Sequence, residues 1–149
     1  MSTIKVDTYL TRGGASEIAI DKLKGASSAG SMTVVAEGGT NTTNLQQGLC
    51  KFFSNIDGDA GTISTRDSFN QSGITDNGTG DYTFAFTNNM ANDDYSHMTN
   101  ADSASGHLAL QYGESQDNTN NCRAYVIEAY SNGATDSNVV MNSINGDLA

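Results

Sequence analysis

The chain has 149 residues, with 17 acidic and 7 basic side chains, and its formal net charge is −10. Nucleic acids and anionic membranes are themselves negatively charged, so this charge balance opposes binding to either of them. No apolar run approaches the ~18 residues that a membrane-spanning helix needs. Residues 1–7 also lack the apolar stretch of a signal peptide, so we expect synthesis in a cytoplasm. The length fits one domain with a short additional segment.

The first 31 residues are predicted to form a small β segment followed by a linker. Residues 1–12 and 16–20 read as two small strands around Gly13-Gly14, and residues 22–31 read as a small, flexible linker. A lone hairpin of this size is not stable in water, so it needs a partner. We therefore assign residues 1–31 to docking on a larger assembly or to interlocking subunits. The predicted contact residues are the apolar ones: Ile4, Val6, Tyr9, Leu10, Ile18 and Ile20.

Residues 32–149 are predicted to form one all-β domain. Thr43 or Asn44 is suited to cap a single helical turn that ends at Gln47. Short strands separated by Gly- and Asn-rich turns are typical of an antiparallel β-sandwich or a jelly-roll-like fold. The predicted strands outside the hairpin described next are 32–36, 49–56, 62–69, 95–98, 107–112, 123–130 and 138–144.

The clearest hairpin signal lies between residues 66 and 90. Residues 75–81 (TDNGTGD) combine Asn-Gly with a second Gly, which provides the positive φ angles of a tight turn. The strand after the turn places three aromatic side chains on one face, because side chains alternate along a strand. Tyr82, Phe84 and Phe86 are therefore predicted to lie in the core.

No motif in the chain indicates catalysis or a metal site. Residues 55–59 (NIDGD) resemble the start of a calcium loop, but Ala60 and Arg66 occupy the positions that an EF-hand gives to Gly and Glu, so we interpret them as a turn. His97 and His107 lack a third ligand partner in the sequence. There is no GxSxG motif and no phosphate-binding loop. We therefore predict no enzyme activity, no cofactor, and no catalytic or metal-binding residues.

Two cysteines and two tyrosines leave alternatives open. Cys50 and Cys122 have no CxxC partner and are interpreted as buried small apolar residues, with a disulfide between them as the alternative. Most aromatic residues lie at alternating strand positions, which indicates a core or a subunit interface. Tyr95 and Tyr112 lie next to Asn/Asp-rich loops, so they are candidates for stacking on a glycan.

The central part of the chain resembles a module of tail-fibre-like and other virion structural proteins of bacteriophages, especially marine and cyanobacterial phages. The opening residues 2–8 (STIKVDT) also resemble the start of many such proteins. The resemblance is strongest over residues 45–95 and rests, in order, on 45–51 (LQQGLCK), 61–62 (GT), 66–70 (RDSFN), 74–83 (ITDNGTGDYT), 86–87 (FT), Met90, Asn92 and Tyr95.

This resemblance implies a non-enzymatic virion protein, assembled in the host cytoplasm, that forms a homotrimer and docks to the tail or capsid through its N-terminus. Phe52-Phe53 replaces the Trp that often follows the LCK run, and the chain has no long central shaft. A short tail fibre or fibre-like adaptor fits this length, and a capsid decoration (cement) protein is the alternative. A host-surface glycan is a further implied partner. The alternative from another class is a carbohydrate-binding module.

Overall fold

Two four-stranded antiparallel sheets contain most of the chain that the structure describes. The structure is a computed structural model, and it describes residues 21–23, 25, 32–59, 61–102, 107–111 (backbone only) and 117–148. In chain order the elements are β1 (Thr33–Val35), β2 (Thr42–Asn44), α1 (Leu45–Gly48), β3 (Cys50–Asp57), β4 (Ser64–Phe69), β5 (Gln71–Gly78), β6 (Asp81–Phe86), β7 (Ser96–Ala101), β8 (His107–Gln111), β9 (Asn121–Glu128) and β10 (Val140–Asn145).

The two sheets form a sandwich around one hydrophobic core. The first sheet has the strand order β4-β3-β10-β7, and the second has the order β5-β6-β9-β8. Alternate residues of the central strands β3, β10, β6 and β9 face the opposite sheet, as the strand geometry requires. Across the core, the Phe52 ring lies 6.2 Å from that of Phe84 and 5.1 Å from that of Phe86. The predicted all-β sandwich is confirmed. The buried cluster is Phe52, Ile56, Tyr82, Phe84, Phe86, Met90, Ala101, Cys122, Ala124, Val126, Val140 and Ile144.

The hairpin β5–β6 confirms the predicted core face and refines the turn. Tyr82, Phe84 and Phe86 are all buried. The turn itself consists of Thr79 and Gly80, because β5 continues as far as Gly78. Gly80 has φ +69, and a Cβ there would lie 2.5 Å from the Val126 carbonyl oxygen. The hairpin therefore needs Gly80 both for its backbone conformation and for its close approach to β9.

Asn70 is the corner at which the chain leaves the first sheet for the second. It is the single residue between β4 and β5, and its φ is +62. Asn tolerates this left-handed conformation better than most residues. Its side-chain amide donates to the carbonyls of Lys51 and Asn88, each at 3.0 Å, while its Oδ1 accepts from the Asn88 N–H at 2.7 Å. These bonds hold the corner against β3 and the loop after β6.

Before the sandwich, the chain forms a two-stranded antiparallel ribbon, β1–β2, and the one-turn helix α1. The predicted cap is confirmed at Asn44, whose Oδ1 accepts from the Gln46 and Gln47 N–H groups at 2.8 and 3.2 Å. The Lys51 ammonium donates to the Gln46 and Leu49 carbonyls at the end of α1. No helix in the described ranges is long and apolar enough to cross a membrane. The predicted contact residues Ile4, Val6, Tyr9, Leu10, Ile18 and Ile20 lie outside the described residues.

Candidate interaction surface

The face of the first sheet that points away from the core carries a row of exposed apolar side chains. Residues that alternate with core positions occupy this outer face, so Phe53 points outward where Phe52 points inward. The outward apolar residues retain substantial exposure: Phe53 37%, Phe69 50%, Met98 55% and Met141 39%. We call these four residues the apolar patch. Contiguous exposed apolar surface of this kind marks sites of interaction in soluble proteins.

Strand register brings the patch together from three distant parts of the chain. Met98 pairs with Ser143, Ser143 with Phe53, and Phe53 with Phe69, so one row crosses all four strands. The Phe53 and Phe69 rings stack with their centroids 6.2 Å apart. Ser143 is small and stands between larger side chains, which leaves a groove of about 460 Å³ between Met98 and Phe53. Met141 lines the same groove from the next row.

The groove is nearly neutral in a strongly acidic protein. Its polar lining is mostly uncharged, with Asn55, Asn100 and Ser143 on the outer face. Among the described residues that line it, Asp67 is the one with a charged side chain. Nearby, Asp57 is paired with Arg66 at 2.7 Å, which offsets its charge. The surface is therefore suited to an apolar, uncharged partner rather than to an ion or a charged metabolite.

On the core side of the same sheet lies a buried polar cluster centred on His97. The Nδ1 of its ring lies 3.0 Å from Asp117 Oδ2, and the Nε2 lies 3.3 Å from Asn142 Oδ1. The His97 and Asp117 side chains are 0% and 2% exposed. Asp117 also accepts from the Arg123 N–H at 3.0 Å. Because both ring nitrogens are engaged and shielded, His97 connects β7, β10 and the start of β9 instead of presenting a ligand or a general base.

Residues 55–59 form the end of β3 and the start of the loop after it, because β3 extends to Asp57. The predicted turn is therefore correct only from Gly58 onward. The Asp59 N–H donates to Asp57 Oδ1 at 3.3 Å, a local bond that closes the loop after β3. Asp57 Oδ2 in turn accepts from Arg66, the residue at the EF-hand glutamate position. Within the part of the chain that the structure describes, no group of three His, Cys, Asp or Glu side chains could hold a metal ion.

Tyr95 is half-buried and packs within the domain. Its ring meets Phe86 edge to face at 6.2 Å, and its hydroxyl donates to the carbonyls of Asn118 and Asn121 at 3.1 and 3.0 Å. Burial raises the pKa of this hydroxyl well above its usual value. The structure thus gives Tyr95 a packing role, and a glycan contact there stays a prediction. Tyr112 lies outside the described residues.

Both cysteines are free thiols, and the interpretation of both as buried residues is wrong for one of them. Cys122 is buried in the core, as predicted, and burial raises the pKa of its thiol well above the usual value. Cys50 is exposed. It lies at the start of β3, where the pairing with β10 shifts between Ile144 and Asn145, so the sandwich does not enclose it.

The apolar patch was missed at the level of sequence, although part of its signal is visible there. Two adjacent aromatic residues on one strand, Phe52 and Phe53, must point to opposite faces of a sheet. One of the two side chains is therefore exposed unless both faces of the sheet are covered by other parts of the protein. Met98 and Met141 carry no such signal, because their proximity depends on how β7 and β10 pair.

No protein-family model, no curated protein and no solved structure matches the chain.

Proposed function

We propose that this chain is a non-enzymatic structural protein of a bacteriophage particle, a short tail fibre or fibre-like adaptor. Its N-terminal segment docks to the particle, and its β-domain projects outward. The observation that carries this proposal is the apolar patch, which gives the sandwich an exposed, neutral surface on a rigid sheet, as expected of a protein that acts through contacts with other proteins. The resemblance of residues 45–95 to phage virion proteins supports the kind of assembly.

The arrangement of the chain supports separate docking and projecting parts. Residues 22–31, which the sequence predicts to be a linker, precede the first described strand, β1, and the apolar residues of the N-terminal segment lie before them. The sandwich has a modest core, so burial of apolar surface between copies at ~25 cal/mol per Å² adds useful stability. We propose a homotrimer, in which three copies present three N-terminal segments to one particle site.

Removal of the N-terminal segment tests the docking role. Deletion of residues 1–24 is expected to abolish incorporation into particles while the remaining domain keeps its β-sheet circular dichroism and its cooperative unfolding. A full-length Ile4→Ser/Val6→Ser variant should also be lost from purified particles. Thr3→Ser/Asp7→Ser changes residues on the other face of the strand predicted from the sequence, and this control should incorporate like the unmodified chain. Normal occupancy of the deletion variant in purified particles would contradict the proposal.

The position of the protein in the particle distinguishes the alternatives. A tag on the chain, visualised by electron microscopy of intact particles, should label the tail. Label spread over the capsid surface would instead favour a decoration protein. A glycan array with the full chain tests the carbohydrate-binding module, because that function predicts a specific glycan ligand and a monomer, whereas light scattering of a virion component should show a stable oligomer.

A further inference from the structure

The β1–β2 ribbon is a second exposed surface that needs a partner. Val34 and Val35 are 53% and 56% exposed, and they lie on opposite sides of the ribbon because side chains alternate along β1. The Leu45 N–H donates to the Met32 carbonyl at 2.9 Å, which ties the base of the ribbon to α1. A two-stranded ribbon is marginally stable in water without further packing. This ribbon is therefore expected to be covered when the protein acts.

The groove on the outer face is open in the same molecule. Met98 and Phe53 on either side of it are exposed, and so are the valines of the ribbon, so the ribbon does not fill the groove of its own chain. The groove lies on four paired strands, a rigid surface on which a flat β element can lie face to face. Among the described residues, a groove with exposed apolar side chains and a ribbon with two exposed valines, each with one charged side chain, thus remain uncovered on the same chain.

Charge favours contact between these two surfaces when copies of the chain meet. The whole chain carries a net charge of −10, so two copies repel each other overall. In residues 32–44, the charged side chain is that of Glu37, in the turn between β1 and β2. The groove has Asp67 at its lining. The two surfaces can therefore meet with little desolvation of charge, which is the main cost of burying acidic surface.

We propose that the β1–β2 ribbon of one copy packs into the outer-face groove of the next copy. Such a contact joins two different surfaces, so it repeats head to tail and closes into a ring when the rotation between copies allows it. In a closed ring every copy has one face of its own ribbon covered and its own groove filled. This inference rests on the oligomer of the proposed function and names the two surfaces that form it.

Two double variants of the full chain test the contact. Val34→Thr/Val35→Thr alters the ribbon, and Met98→Thr/Met141→Thr alters the groove, with β-branched replacements that suit strands. Sedimentation velocity should show that the unmodified chain forms an oligomer and that each double variant weakens self-association by about tenfold or more. Tyr130→Thr removes an aromatic side chain that is 91% exposed outside both surfaces, so this control should associate normally.

Mixing the two double variants is the decisive measurement. The ribbon variant retains an intact groove and the groove variant retains an intact ribbon, so an equimolar mixture should form a 1:1 complex that neither variant forms alone. If the ribbon variant associates like the unmodified chain while the groove variant is monomeric, the contact is groove to groove and the inference is overturned. A monomeric unmodified chain also overturns it.

Folding of each variant and its incorporation into particles are measured separately from self-association. Circular dichroism and urea unfolding show whether each variant is folded. Ser143→Lys is a second groove variant, which places a charge between Met98 and Phe53. This variant should also weaken self-association. Incorporation of a monomeric chain into particles would leave the proposed function standing while this contact fails. Ring formation by a chain that never enters particles would support this contact and contradict the proposed function.

Discussion

Asp81 and Arg123 form a partly buried ion pair on neighbouring strands of the second sheet. The Arg123 Nε donates to Asp81 Oδ1 at 2.7 Å, and a terminal guanidinium nitrogen donates to Oδ2. The Asn77 amide adds a bond to Oδ1 at 3.2 Å. The hydrogen bonds from Arg123 hold the pKa of Asp81 below its usual value of 3.8, and they outweigh the opposing effect of burial. The Asp81 side chain is 13% exposed, so water screens the pair only in part.

This pair is expected to make folding sensitive to acid. Because the pKa of Asp81 is lower in the folded state, its stabilisation is fully present above the ordinary carboxyl value of 3.8 and is lost as the pH falls below it. Asp81→Asn should reduce the free energy of unfolding by about 1–3 kcal/mol at neutral pH, since it removes hydrogen bonds to a charged group. The difference from the unmodified chain should shrink as the pH falls below 3.8.

Urea unfolding at neutral pH and at pH values below 3.8 measures this effect. Asp94→Asn is the matched control, because Asp94 is exposed in the loop before β7 and should change stability by less than about 0.5 kcal/mol. An equal loss at both pH values for Asp81→Asn would show that the carboxylate charge has no part in the effect.

At the scale of elements, the hairpin β5–β6 depends on how closely its turn approaches the rest of the second sheet. The Val126 N–H donates to the Gly80 carbonyl at 2.7 Å, and the Gly80 N–H donates to Asp136 Oδ1 at 2.7 Å. The same Asp136 oxygen accepts from the Tyr82 hydroxyl at 3.0 Å. The turn is thus joined to β9 and to the loop before β10 by backbone and side-chain bonds that leave no space for a Cβ at Gly80.

Gly80→Ala should therefore be strongly destabilising. A Cβ at this position would meet the carbonyl oxygens of Val126 and Thr135 at 2.5 and 2.7 Å, and the positive φ adds strain. We expect a loss of about 2–4 kcal/mol in the free energy of unfolding. Gly73→Ala, in the adjacent strand β5, is the control because no atom lies within 4 Å of its added Cβ. Chemical denaturation that gave similar stabilities for the two variants would contradict this account of the turn.

At the scale of the whole molecule, two adjacent phenylalanines lie on the two opposite faces of the first sheet. Phe52 is fully buried and touches the aromatic residues of the second sheet, whereas Phe53 is 37% exposed and stacks on Phe69. The same residue type on the same strand therefore packs in the core in one case and forms part of the exposed apolar patch in the other. Their substitution separates the stability of the domain from association through the patch.

Phe52→Ala should lower the free energy of unfolding by about 3–5 kcal/mol, because it leaves a cavity between the sheets. Phe53→Ala should cost about 1 kcal/mol or less, through the stacking that it loses. Urea unfolding is the measurement, at protein concentrations low enough to keep copies apart. Phe53→Ala should instead weaken self-association measured at higher concentration. A large loss of monomer stability in Phe53→Ala would mean that the outer face belongs to the core.

The sequence alone was sufficient for features that depend on neighbouring residues or on a short period. Alternation of apolar side chains predicted the strands of the two large sheets, though not β2, and the buried face of Tyr82, Phe84 and Phe86, because the pleat of a strand has a period of two. Asn44 was one of two predicted helix caps, since capping depends on the next few N–H groups. The turn was located to within a few residues of Gly80 from its Asn and Gly content.

Contacts between distant segments were decided by the tertiary structure. Phe53, Met98 and Met141 come from three separate strands, and their proximity follows from pairing β10 between β3 and β7. The join of His97 to Asp117 and Asn142, and the exposure of Cys50, likewise depend on register. A single strand fixes which of its residues share a face, but which strands become neighbours is set by the packing of the whole core. The candidate surface therefore emerges only once the two sheets are assembled.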